Sequence, residues 1–150
     1  MSIAERDYIL RMIERLGQAI AAILRRKRDG EPAEARKMLG DLRAELFGGM
    51  GSALDAVDAA SVVGLAGGMD RARAYAMLLA VEADLREEGE PRWAARARRR
   101  ALEVHLEAAA RFPGEVRAED RDAVQRLATH ADVAKLPARL AGILAGLART

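Results

Sequence analysis

Five arginines fall within nine residues: Arg92, Arg96, Arg98, Arg99 and Arg100. Guanidinium groups at this density can hold phosphates or a partner's carboxylates, because each offers a planar fork of donors. On a helical wheel Arg92, Arg96, Arg99 and Arg100 share one face with Glu103 and Glu107. Arg99–Glu103 is spaced i,i+4 and Arg100–Glu103 i,i+3, and such pairs contribute about 0.2–0.5 kcal/mol each. The pattern predicts a solvated, ion-paired helix face, and its functional reading is a surface for an acidic protein partner. Nucleic acid fits less well, since single-strand binders also present stacking aromatics and only Trp93 is nearby.

No other set of residues carries a reaction. His105 and His130 are the only histidines, and neither belongs to a spaced cluster of metal ligands. Asp120 and Asp122 open a helical segment, where carboxylates favour the positive end of the helix dipole. The hydroxyl side chains Ser2, Ser52, Ser61, Thr129 and Thr150 lie outside any nucleophile-elbow pattern. Gly64-Leu65-Ala66-Gly67-Gly68 has no preceding strand and no following Lys-Ser/Thr pair, so it is not a phosphate loop. The sequence therefore assigns no catalytic residue, cofactor or metal, and reads as non-enzymatic.

These side chains must be positioned by helices. Ile9, Ile13, Leu16, Ile20 and Ile23 recur at helical spacing within one helix that runs from about Ile3 or Asp7 to Arg28. Gly17 sits in its middle and suggests close contact with a neighbour. A second helix follows over 32–47, with Ala35, Met38, Leu39, Leu42 and Leu46 inward. The glycine-rich stretch 48–68 predicts short, irregular helices. Ser52 caps one that carries Leu54 and Val57, and Asp58 caps another that carries Val62 and Leu65. Further helices are predicted over 70–88 with Asp70 as N-cap, over 91–112, over 118–130, and from Pro137 to the end. Gly142 and Gly146, with Ala138, predict close packing of this last helix. No segment alternates with period two, so the expectation is an all-α, single-domain chain (residues 1–150) of about seven helices.

Two matched turns organise it: Gly30-Glu31-Pro32 and Gly89-Glu90-Pro91. Gly closes a helix in the left-handed conformation, and Pro suits the first turn of the next. Five residues after each Gly comes an alanine, Ala35 and Ala94, small enough for antiparallel helices to approach closely. This hairpin resembles a tetratricopeptide repeat. In the second unit Ala94, Ala101 and Leu102 take expected positions, with Leu78, Val81 and Leu85 on the preceding helix. The chain departs from the repeat at Glu82, Arg98 and Leu42, and its spacing of 59 differs from the 34 of tandem arrays. The alignment points Glu82 and Arg98 inward and implies an ion pair between them across the hairpin. The run from Asp7 to Leu16 is similar to the opening of a family of small, helical, tetratricopeptide-like bacterial proteins that read Asp-Tyr-Ile-x-Arg-x-Ile-Glu-x-Leu. That family has no assigned activity, so the resemblance implies a fold and supplies no site residues.

The absence of cysteine excludes structural disulfides and thiolate chemistry. Glu5, Arg6 and Asp7 stand where the apolar core of a signal peptide would begin, and no uncharged run approaches the ~20 residues that span a bilayer. A cytoplasmic protein with no membrane association is expected. Net charge is only +2. It is uneven, with residues 31–90 carrying −6 and the flanking segments positive, which favours oriented encounter with a partner.

A helical interaction or scaffolding module follows. The alternatives are a nucleic-acid-associated protein using the arginines, or a small-ligand protein with a pocket between the helices at 32–47, 70–88 and 91–112. Leu10, Gly17 and Leu24, seven residues apart, form a second apolar seam on the first helix. That seam predicts a homodimer in which each first helix meets its mate, the other solution being coverage by the C-terminal helix.

Overall fold

Residues 69–86 place small or apolar side chains on every face of a helix, the pattern of a helix surrounded by others. The computed structural model describes residues 2–149. Among them the α-helices run in order α1 (Ile3–Glu14), α2 (Leu16–Arg28), α3 (Pro32–Phe47), α4 (Met50–Asp55), α5 (Ala59–Ala66), α6 (Met69–Arg86), α7 (Pro91–Arg111), α8 (Ala118–His130) and α9 (Ala138–Ala148). Short 3₁₀ turns occupy Pro113–Glu115 and Val133–Lys135, and no strand occurs among the described residues. Met1, Thr150 and the side chain of Ile9 lie outside the described residues. With them go the first position of the predicted stripe and the last hydroxyl candidate.

The centre is α6. Beyond Leu78, Val81 and Leu85, the residues Ala72, Ala76, Ala83, Tyr75 and Leu79 are also buried, because α1, α2, α3, α5 and α7 all pack on this helix. Alanines around its circumference let several helices come close at once. The tightest neighbour is α7, on which α8 and α9 also pack. Ala94 and Ala101 are fully buried in α7, as is Ala35 in α3. Enlarging Ala94 or Ala101 to leucine should cost typically about 1–3 kcal/mol through overpacking. The exposed Arg96→Glu change should stay within about ±0.5 kcal/mol. Urea unfolding of the three variants checks this, and equal midpoints would refute the assigned contact.

The all-helical expectation holds, and α3 and α8 keep their predicted bounds. The long first helix does not. It is interrupted at Arg15, whose N–H is shared between the carbonyls of Arg11 and Met12 at 3.2 Å each, a tightened last turn two residues before Gly17. Gly17 itself is exposed, and a Cβ there would meet nothing within 4 Å, so it marks no close contact. The same is true of the space around Gly142 and Gly146, and Ala138 is exposed, so that small-residue face is not the packing face of α9. Instead α9 packs on α7 and α8 through the side of Leu140, and does not lie along the first helices. On the predicted seam, Leu10 is exposed and Leu24 is half-buried against the core.

The two turns differ. Gly30 is left-handed at φ 77°, and the N–H groups of Gly30 and Glu31 return to the carbonyls of Lys27 and Arg26 at 3.1 and 2.9 Å. This is the doubly bonded glycine cap that the sequence suggests. Gly89 does not share the left-handed conformation. There the chain stays right-handed at Glu87, and Glu90 N–H closes the turn onto the Arg86 carbonyl at 2.8 Å. Both prolines open their helices as expected. In the glycine-rich stretch, Asp58 caps α5 by accepting from Ser61 N–H at 2.8 Å. Ser52, however, lies inside α4, Gly68 rather than Asp70 precedes α6, and Leu65 is exposed while Val62 is buried. Leu65, three residues and about 60° of helical rotation from Val62, falls outside the face that meets α6 and α7.

Candidate ligand groove

Both α3 and α7 pack on α6. The space between them is an open groove of about 1560 Å³. Its α6 surface presents Tyr75, Leu79 and Glu82. The α3 wall presents Arg36, Leu39 and Arg43, the α7 wall Trp93, Arg96, Ala97 and Arg100, and α4 closes one end with Gly51, Ser52 and Asp55. This is the region between the three helices where the sequence left room for a pocket.

Six basic side chains line the groove against four acidic ones, so it is net positive although the helices that build it carry many carboxylates. The cations differ in their partners. Lys27 Nζ donates to the Asp84 carbonyl at 2.7 Å. Arg86 lies over the Trp93 ring at 3.5 Å and is held by Glu82 at 3.2 Å and Glu90 at 2.7 Å. The hydrogen bond from Arg86, with a smaller contribution from the nearby Arg36 charge, keeps the Glu90 carboxyl below its usual range. Arg43 pairs with Asp55 and donates to the Gly51 carbonyl at 2.8 Å. Arg100 donates to the Leu54 carbonyl at 2.6 Å and to the Tyr75 hydroxyl at 3.3 Å. The Leu54 carbonyl is among the last of α4, which lack intrahelical partners, so Arg100 caps that helix. Arg36 and Arg96 alone among the groove cations make no hydrogen bond or ion pair among the described residues, and both are exposed.

The arginine face predicted from sequence is therefore divided. Arg96 and Arg100 face the groove, Arg92 is exposed outside it, and Arg99 pairs with Glu103 at 3.6 Å as its spacing suggests. Arg100 does not pair with Glu103, because it turns toward α4. Glu107 does not complete the ion-paired face either: it takes both guanidinium nitrogens of Arg139 on α9, at 2.7 and 2.9 Å. The expected Glu82–Arg98 pair is not formed. Arg98 binds Asp84 at 2.8 Å and also Glu87, on the other flank of α6, while Glu82 faces the groove and takes Arg86 one turn later. Residues 82 and 84 lie about 200° apart on a helix, so one arginine cannot serve both.

A second polar cluster lies in the core, away from the groove. Arg73 and Asp120 are buried and meet through two hydrogen bonds of 2.5 and 2.8 Å, joining α6 to α8. Arg73 also reaches Asp70 at 2.7 Å and the Glu115 carbonyl at 3.1 Å, and Asp120 accepts from Arg117 N–H at 2.8 Å. Burial pushes the Asp120 carboxyl up, but the Arg73 and Arg117 hydrogen bonds and the Arg73 charge together hold it below its usual range. His105, buried on α7, is pushed down to about 4, mainly by burial and further by the charges of Arg73 and Arg126. The sequence reading gave Asp120 a dipole role only and gave Arg73 none. No group of three or more His, Cys, Asp and Glu side chains able to hold a metal comes together among the described residues. No helix among them is long and apolar enough to cross a membrane.

Comparison of the chain with protein-family models, with curated protein sequences and with solved structures found no match.

Proposed function

We propose that this chain is a non-enzymatic interaction module of tetratricopeptide-like hairpins, and that the α3/α6/α7 groove receives an acidic segment of a partner protein. The carrying observation is the opposed pair of exposed guanidinium groups that make no hydrogen bond or ion pair among the described residues, Arg36 on one wall and Arg96 on the other, above apolar positions at Leu39, Leu79 and Ala97. That combination suits a chain that alternates acidic and apolar side chains. Size favours a segment over a metabolite, since small-molecule sites are typically about 300–1,000 Å³ and more enclosed. Single-stranded nucleic acid is disfavoured for a separate reason. The groove's Trp93 ring is already covered by Arg86, which takes the stacking platform a base would need.

A fluorescein-labelled hexapeptide alternating glutamate and leucine provides the test. Fluorescence anisotropy should show binding that weakens as salt is raised, because the contacts are exposed and screened. Arg36→Glu/Arg96→Glu should weaken it by about tenfold or more, since like charges across an interface repel. Arg92→Glu, outside the groove, should have much less effect. No binding by the wild type, or equal loss from Arg92→Glu, would sink this reading.

A further inference from the structure

At the end of the groove closed by α4, a carboxylate of the chain itself already occupies a built anion site. Asp55 is the last residue of α4. One of its oxygens accepts from the Tyr75 hydroxyl at 2.8 Å, and the other pairs with Arg43. Arg100 approaches the same hydroxyl at 3.3 Å, and both guanidinium groups lie within 6 Å of the Tyr75 ring, at 5.9 and 5.8 Å. Arg43 and the phenol thus hold a single carboxylate directly, Arg100 binds the same phenol, and the two arginines leave the cluster at a net charge of +1 with the carboxylate in place. The parts differ in how firmly they are held. Tyr75 is buried at 2% exposure, whereas the Asp55 side chain is half exposed, on a six-residue helix entered through Gly48 and Gly49.

We infer that Asp55 is an internal competitor, and that an acidic side chain of the bound segment displaces it to take the Tyr75 hydroxyl and the Arg43 guanidinium. This rests on the groove reading above and adds its specificity position. The exchange is chemically even: one carboxylate leaves for water, and another accepts the same two donors. Displacement costs little because Asp55 is already half solvated, and the fixed donors stay where they are. The groove would then read acidic side chains at two places, at Arg36 and Arg96 midway and at Arg43 and Tyr75 by α4.

The glutamate–leucine hexapeptide also tests this. Asp55→Ala should bind it about tenfold more tightly than the wild type, because a competing internal occupant reduces apparent affinity by the fraction of time the site is filled. Adding Arg43→Ala to that variant should abolish the gain. In the wild type, saturation with the peptide should shift the Nε–H resonances of both Arg43 and Arg100, a readout that holds even if Asp55→Ala weakens α4. If the wild type binds through Arg36 and Arg96 while these resonances stay fixed, or if folded Asp55→Ala gains nothing, the competitor role is overturned and the groove reading stands. If neither protein binds the peptide, both fall together.

Discussion

Arg73→Met should lower the unfolding free energy by about 3–5 kcal/mol, the range for breaking a buried ion pair by removing one partner. That is a large share of the roughly 5–15 kcal/mol that holds a domain of this kind folded. Methionine keeps much of the volume and adapts to its surroundings, so the loss reports charge rather than a cavity. Asp120 would remain buried with one N–H donor, from Arg117, where it now has three. Asp120→Ala should cost less than Arg73→Met, because Arg73 keeps Asp70 and the Glu115 carbonyl. The double variant Arg73→Met/Asp120→Leu should be more stable than Arg73→Met alone, since apolar replacement of both partners removes the desolvation problem. Urea unfolding at neutral pH measures all three. Single variants within 1 kcal/mol of the wild type would mean that the pair is solvated rather than buried.

This pair also shows where the sequence was opaque. Forty-seven residues separate Arg73 from Asp120, and no local period or spacing links them. A cue existed on one side only. On its helical face Arg73 neighbours Met69, Ala76 and Met77 as well as Asp70, and a charge buried there requires a partner. It could not name the partner, because Glu119 and Asp120 both stand in the first turn of α8, with Asp122 close behind, and the helix dipole explains the first two equally well. The groove was legible to a similar degree. The Gly-Glu-Pro turns marked the starts of α3 and α7, and the arginines of α7 were visible as a cluster. Which of them would stay unengaged depended on α4, whose carbonyls and Asp55 take Arg100 and Arg43. The sequence marked that segment as irregular, and irregular segments have no period from which to place a carbonyl. Glycines misled where they were read as signs of contact, as at Gly17 and Gly142, since an exposed glycine leaves the same trace as a buried one.

Acidification from pH 7 to 4.5 should reduce stability by about 2–3 kcal/mol through His105 alone. The imidazole is buried among α7 neighbours at 3% exposure, and its folded value of about 4 lies below an ordinary 6.5. A base whose folded value is depressed binds fewer protons folded than unfolded between those two limits. Stability is therefore complete above about pH 6.5, declines as pH falls toward 4, and has no further His105 dependence below that. Asp120 does not confuse the window. Its carboxyl is held below the usual range, so its contribution is intact above the ordinary carboxylate value and is lost only as pH falls through the lower folded one. The charges facing His105 are Asp120, Arg73 and Arg126, and the two arginines oppose its protonation while Asp120 favours it. Burial outweighs that attraction, since a protonated imidazole here would lack water on every side. His105→Leu should flatten the profile between pH 6.5 and 4.5 relative to the wild type, whatever its stability at pH 7. Carbon-detected NMR titration of the His105 ring gives an independent check, because the ring should remain neutral at pH 5.5. A His105 resonance that titrates near 6.5 would show that water reaches the ring and that α7 is not sealed against α8 at this point.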